Sequence, residues 1–114
     1  MEAINKEFVQ EMINKMANQD VYVHLETTNG AYTAYRNGTP FSSGVFIRNG
    51  KVSYEHGKIT GNGPHRVGLK IDLGWIYAEG LTHCEMNGDQ LLLAGLDDQG
   101  RLAVSLQLSP HPFK

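Results

Sequence analysis

The sequence predicts a mainly β fold, with an N-terminal amphipathic helix followed by about eight antiparallel strands in coiled or barrel-like sheets. Three observations carry that prediction. Apolar residues recur near every fourth position over residues 2–18, the period drops to two after Asp20, and Asn-Gly recurs at 29–30, 37–38, 49–50, 62–63 and 87–88. The first period is that of a helix with one buried face, the second that of strands, and Asn-Gly tolerates the positive φ of tight hairpin turns.

Each element follows from its own residues. Ile4, Phe8, Met12 and Met16 stand at i, i+4 steps, with Val9 and Ile13 beside them, so the helix is placed over 2–18. Its methionines suit adaptable core filling. The β region then runs from 20 to 109. A turn at Asn29-Gly30 puts Val23 and Leu25 on one face and Tyr22, His24 and Glu26 on the other, with Tyr35 opposite His24. A turn at Asn49-Gly50 pairs Ile47 with Val52 and Val45 with Tyr54. Val67, Leu69 and Ile71 alternate with Arg66, Gly68 and Lys70. Leu91-Leu92-Leu93 reads as a strand covered on both faces. Leu102, Val104, Leu106 and Leu108 mark a last strand, which Pro110 and Pro112 end, leaving a short extended tail over 110–114. No linker-like or repetitive stretch interrupts the chain, so its 114 residues are read as one domain.

Gly61, Gly63 and Gly68 invite comparison with phosphate-binding loops, and the comparison fails. A dinucleotide fingerprint needs a helix after the glycines, because the helix N-terminus holds the pyrophosphate. Here Pro64 and an alternating strand follow, and no Gly-Lys-Ser/Thr is present. The stretch is a turn, and Gly63 and Gly74 are expected to hold turn geometry.

The next turn leaves two registers open. A three-residue loop over Asp72, Leu73 and Gly74 pairs Ile71 with Trp75, Leu69 with Tyr77 and Val67 with Glu79, and carries Glu79 inward as a buried structural carboxylate. A two-residue loop moves Glu79 to the face of Arg66 and Lys70, since a slip of one residue reverses every facing. The first register is the expectation taken here.

Composition excludes several classes. A net charge of −2 argues against general nucleic-acid binding, and the single cysteine, Cys84, rules out an internal disulfide and a cysteine-rich zinc site. No basic leader or apolar run of about 18 residues appears, so a soluble, cytoplasmic protein off the membrane is expected. Charge is unevenly spread. Arg48, Lys51, Lys58, Arg66 and Lys70 face Glu55 alone between 45 and 70, whereas 71–100 holds six acids and no Lys or Arg. Either neighbouring hairpins exchange salt bridges, or a basic face meets a small anion or an acidic partner.

Chemistry-bearing residues are few. His24 and Glu26 lie two apart on one strand face, a spacing that suits a hydrogen-bonded polar face or an acid–base or metal pair. Two ligands fall short of the three that a catalytic zinc needs, and His56, His65, His83 and His111 have no ligand spacing, so neither metal nor cofactor is expected. Cys84 reads as an inert buried thiol, facing away from His83.

The stretches VYVHLETTNGAY (21–32), IRNGKVSY (47–54), GNGPHRVGLK (61–70), GWIYAEGLT (74–82), LLLAG (91–95) and SLQLS (105–109) together resemble the YojF-like family, small proteins of bacilli and their relatives. The resemblance covers nearly the whole chain. It implies a mainly β domain with coiled sheets and no established activity, so it supplies no catalytic residue. Genes of that family commonly lie beside one for a LmbE-like zinc deacetylase of bacillithiol metabolism, which implies a protein partner. Two function classes follow. One is a non-enzymatic binding or accessory protein using ligand-binding candidates His24, Glu26, Tyr35, Arg66, Lys70, Trp75, Tyr77 and Glu79, with Tyr22 as a further aromatic contact. The other is a small-molecule or metal-dependent enzyme built on His24, Glu26 and Glu79. Exposed hairpin edges would also allow a homodimer.

Overall fold

A computed structural model describes residues 1–27 and 44–114. Among them are one helix and nine strands, in two open antiparallel sheets rather than a closed barrel. The larger sheet has six strands, ordered β1 (Glu2–Ala3), β7 (His83–Asn87), β8 (Gln90–Leu96), β9 (Leu102–Ser109), β2 (Val21–Thr27) and β3 (Val45–Val52). The smaller has β4 (Tyr54–Thr60), β5 (His65–Ile71) and β6 (Gly74–Leu81). Closure of a single barrel would pair the edge strands of both sheets. Here Ser53 separates β3 from β4, and the chain passes from one sheet to the other at that point.

The helix α1 spans Lys6–Lys15, shorter than the expected 2–18. Asn5 sets its start, because its side-chain oxygen accepts from the Phe8 N–H at 3.0 Å. Glu2 and Ala3 instead pair with Cys84 and His83 as a strand. Past the helix, Asn18 takes a positive φ of 62° and donates its N–H to the Tyr54 carbonyl at 2.8 Å. Val9 and Ile13 are fully buried, as the apolar period requires, and Phe8 on the same stripe is exposed. Gln10 ties the helix to the smaller sheet. Its amide donates to the Gly57 carbonyl at 2.9 Å and accepts from the Ile59 N–H at 3.0 Å, standing in for a neighbouring strand along the β4 edge. Gly57 lets the helix come this close, since a Cβ there would lie 2.4 Å from Ile13 Cγ2. Tyr54, also fully buried, donates to the Ile13 carbonyl at 2.5 Å, and burial pushes its hydroxyl pKa up.

One apolar core joins the helix and both sheets, with Val21, Val23, Leu91, Leu93, Leu106 and Leu108 from the larger sheet and Val67, Leu69, Ala78 and Leu81 from the smaller. The sheets come into close contact at two glycines. A Cβ on Gly95 would lie 2.1 Å from the Gly80 carbonyl oxygen and 2.4 Å from Val104 Cγ1. Leu91-Leu92-Leu93 does form a central strand, but only Leu91 and Leu93 reach the core; Leu92 turns to the outer face opposite Gln107 and Glu85.

Two expected turns are corrected. Asn49-Gly50 is no hairpin turn: β3 continues through it, pairing Val52 with Val21 and Ile47 with Leu25. Two steps from Val23 to Leu25 face three from Gly50 to Ile47, so Arg48 and Asn49 form a bulge, and the left-handed conformation of Asn49 (φ 57°) accommodates it. The β5–β6 turn is the two-residue form, Asp72-Leu73. Ile71 pairs with Gly74, Lys70 with Trp75, Gly68 with Tyr77 and Val67 with Ala78. Asp72, not Gly74, takes the positive φ, at 33°. This register puts Ala78 and half-buried Ile76 against the core and turns Trp75, Tyr77 and Glu79 outward. Gly63 does hold a turn, at φ 112° in the 61–64 loop before Pro64, whose peptide bond is cis. The Asn29-Gly30 and Asn37-Gly38 turns, and Tyr35, lie outside the described residues.

Candidate functional site

The expected site residues fall on two separate outer faces. Arg66, Lys70, Trp75, Tyr77 and Glu79 share the outer face of the small sheet, where β4 adds His56, Lys58 and Thr60. Their common facing is a direct product of the two-residue turn. Gly68 stands at the middle of this face, and a Cβ there would lie 2.8 Å from Tyr77 Cε1. The missing side chain lets the tyrosine ring settle over the strand. Trp75 stacks on Tyr77 with centroids 5.5 Å apart and planes 5° apart, and His56 meets Trp75 edge-on at 6.4 Å. The Arg66 guanidinium lies 4.0 Å from the Tyr77 centroid, a cation–π contact. Guanidinium, phenol and indole thus form one stack, yet Trp75 remains 43% and Tyr77 46% exposed.

Charge on this face is largely matched. Arg66 Nε lies 3.0 Å from Glu79 Oε1, and Lys70 Nζ lies 3.5 Å from Glu55 Oε1 and also donates to the Asp72 carbonyl. The expectation of a buried Glu79 is therefore overturned. Its side chain is 69% exposed and belongs to a surface ion pair, the outcome of the shorter turn. Such pairs are worth about 0–1 kcal/mol. Lys58 has no ion-pair partner among the described residues.

His24 and Glu26 stand on the outer face of the large sheet, beside Tyr22, Gln107 and Ser105. The tail closes over His24. Phe113 is only 8% exposed, its ring 6.5 Å from that of His24, with the Arg48 guanidinium 4.8 Å from its centroid. Asn49 binds the tail backbone reciprocally, donating to the Phe113 carbonyl at 3.0 Å and accepting from its N–H at 2.7 Å. Arg48 donates to the backbone oxygen of Lys114 at 2.7 Å and to His24 Nδ1 at 3.3 Å. Because a guanidinium only donates, Nδ1 must accept, and neutral His24 carries its proton on Nε2. Neither ring nitrogen then offers a lone pair to a metal. Burial lowers the His24 pKa most, Arg48 lowers it further, and Glu26 opposes them.

His24 and Glu26 are thus on a different sheet from Glu79, so the three residues of the enzymatic reading do not converge. Among the described residues no group of three His, Cys, Asp or Glu side chains is placed to hold a metal ion. Cys84 is a buried free thiol, as expected. It borders a cavity of about 610 Å³ lined also by Glu2, Asn5, Phe8, Glu85 and Met86, which contains none of the expected site residues. Among the described residues no helix is long and apolar enough to cross a membrane. Sequence reading missed Arg48 and Asn49 as the holders of the tail. The signal was present in the Asn-Gly dipeptide, which marks a positive φ whether that φ makes a turn or a bulge.

The chain is similar along its length to an uncharacterized protein, YojF, of Bacillus subtilis strain 168, at 51% identity over 114 residues, covering 99% of this chain and 98% of that protein. The fold is similar to the crystal structure of the Bacillus subtilis YojF protein, with a TM-score of 0.82 at 47% identity, covering 99% of this chain and 96% of that one. The family described as "protein of unknown function (DUF1806)" matches residues 3–113, and the chain belongs to that family.

Proposed function

We propose that this protein is a non-enzymatic binding module whose contact surface is the outer face of the small sheet, and that its partner is a LmbE-like zinc deacetylase. The observation that carries the reading is the stack of Arg66, Tyr77 and Trp75, which leaves two large rings nearly half exposed. Tryptophan, tyrosine and arginine are the side chains that most often dominate the energy of protein interfaces, because each adds large contact area and a polar handle. The stack is already assembled, so little side-chain order remains to be lost on binding. Glu79 and Glu55 already pair Arg66 and Lys70, which favours a protein surface over a small anion as the occupant.

Isothermal titration of the chain with the deacetylase tests this. Trp75→Ala and Tyr77→Ala should each weaken binding at least about tenfold, the scale of an interface hot spot. His24→Ala, on the other sheet, should leave it unchanged. Inorganic phosphate or an anionic thiol that binds the free chain and is lost with Lys58→Ala would favour a small-anion site instead. Equal affinity for all variants would sink the assignment of the face.

A further inference from the structure

The seat that holds the tail has the parts of a peptide-recognition site. Asn49 reads main chain, since its amide pairs with both the N–H and the carbonyl of Phe113. Arg48 and His24 read an aromatic side chain through a cation–π contact and an edge contact. Arg48 also donates to the backbone oxygen one residue further on. None of these groups depends on the occupant being joined to the same chain.

Among the described residues, the polar contacts of residues 110–114 outside the seat are those of His111. His111 pairs with Asp89 at 2.9 Å between side chains that are both more than half exposed, and Ser109 binds the His111 backbone. Pro110 and Pro112 fix φ at their positions and keep the segment from extending β9, so it leaves the sheet as a short stiff arm. Ser109, paired with Tyr22, is fully buried and marks the arm's fixed base.

We propose that the seat formed by His24, Arg48 and Asn49 also takes the 110–114 arm of a second copy of this chain, in exchange for its own. Four residues reach at most about 13–14 Å from Ser109. The two copies therefore meet through the outer faces of their large sheets, near β2 and β9, and a twofold axis fills both seats at once. This inference does not depend on the small sheet, which stays free in such a dimer. A short tether gives the arm an effective concentration in the millimolar range for its own seat, so exchange between intact chains grows only at high protein concentration.

Two full-length variants separate the roles. Phe113→Ala keeps the seat and lacks the ring that fills it; Asn49→Ala keeps the arm and lacks the main-chain anchor. Each alone should stay monomeric by analytical ultracentrifugation, while their mixture should form a one-to-one complex at least about tenfold tighter than either self-association, because cis competition has been removed. Arg48→Gln replaces Asn49→Ala if that variant does not fold, as judged by circular dichroism. The double variant Asn49→Ala/Phe113→Ala should not join the Phe113→Ala chain. A mixture of folded variants that stays monomeric up to the millimolar range would overturn the proposal.

Discussion

The two sheets treat their outer faces in opposite ways. The large sheet carries its one buried histidine under a folded-back tail, with each backbone polar group of Phe113 bound and the imidazole tautomer fixed by Arg48. The small sheet carries the only tryptophan in the chain, stacked and open. Both faces use an aromatic ring, a guanidinium and a histidine. They differ in whether the described residues supply a cover. Under the tail, His24 is desolvated and its pKa falls; on the small sheet, Trp75 and Tyr77 keep nearly half their surface exposed. Similar side chains are therefore covered in one place and open in the other, and the local path of the backbone decides which.

The largest expected effect comes from disrupting the junction between the two sheets. Gly95→Ala places a methyl group against the Gly80 backbone, which cannot move aside as a side chain can. It should destabilise the fold by about 3 kcal/mol, measured by urea denaturation. Phe113→Ala comes next, at about 2 kcal/mol. That is less than a core phenylalanine costs, because the tail can detach without unfolding either sheet. Hydrogen exchange should rise at 110–114 and at His24, and stay unchanged on the small sheet.

Acid should loosen the same face. A histidine whose folded pKa lies below its ordinary value of 6.5 takes up its proton more readily when released, so the stability it contributes is present above that pH. It is lost as the pH falls from about 6.5 through the folded value. Protonated His24 can no longer accept from Arg48. Exchange at 110–114 should therefore accelerate in that window, and His24→Gln should flatten the dependence.

The smallest effect belongs to Glu79. Glu79→Gln removes an exposed ion pair and should change stability by no more than about 0.5 kcal/mol. A loss of several kcal/mol would restore the buried carboxylate that the longer turn predicts.

That contrast marks how far the sequence could be read. The helix stripe, the strands around Val67 and Leu106, and the rejection of a phosphate loop followed from periodicity, which depends on which side chains meet the core. Glu79 did not, because its facing hung on a single residue of turn length. Sequence leaves that open when aspartate can take the positive φ as well as glycine. Asn49 failed for a related reason: a left-handed residue fits both a hairpin and a bulge, and pairing between distant strands chose the bulge. The closure of the tail over His24 was out of reach, since Asn49 and Phe113 are far apart in the chain and neither belongs to a periodic pattern with the other. Arg66, Lys70, Trp75, Tyr77 and Glu79 are each candidates from the sequence, but the expected register divides them between two faces, and their shared outer face required the shorter turn.

The most direct test of the open face uses its own reporter. Trp75 is the only tryptophan, so 5-fluorotryptophan labelling gives one fluorine resonance at the centre of the proposed contact surface. Titration with unlabelled LmbE-like deacetylase should shift or broaden that resonance in proportion to complex formed, and Tyr77→Ala should abolish the response. A resonance that stays unmoved at saturating deacetylase, while the complex forms by sedimentation, would place the contact elsewhere and contradict the account.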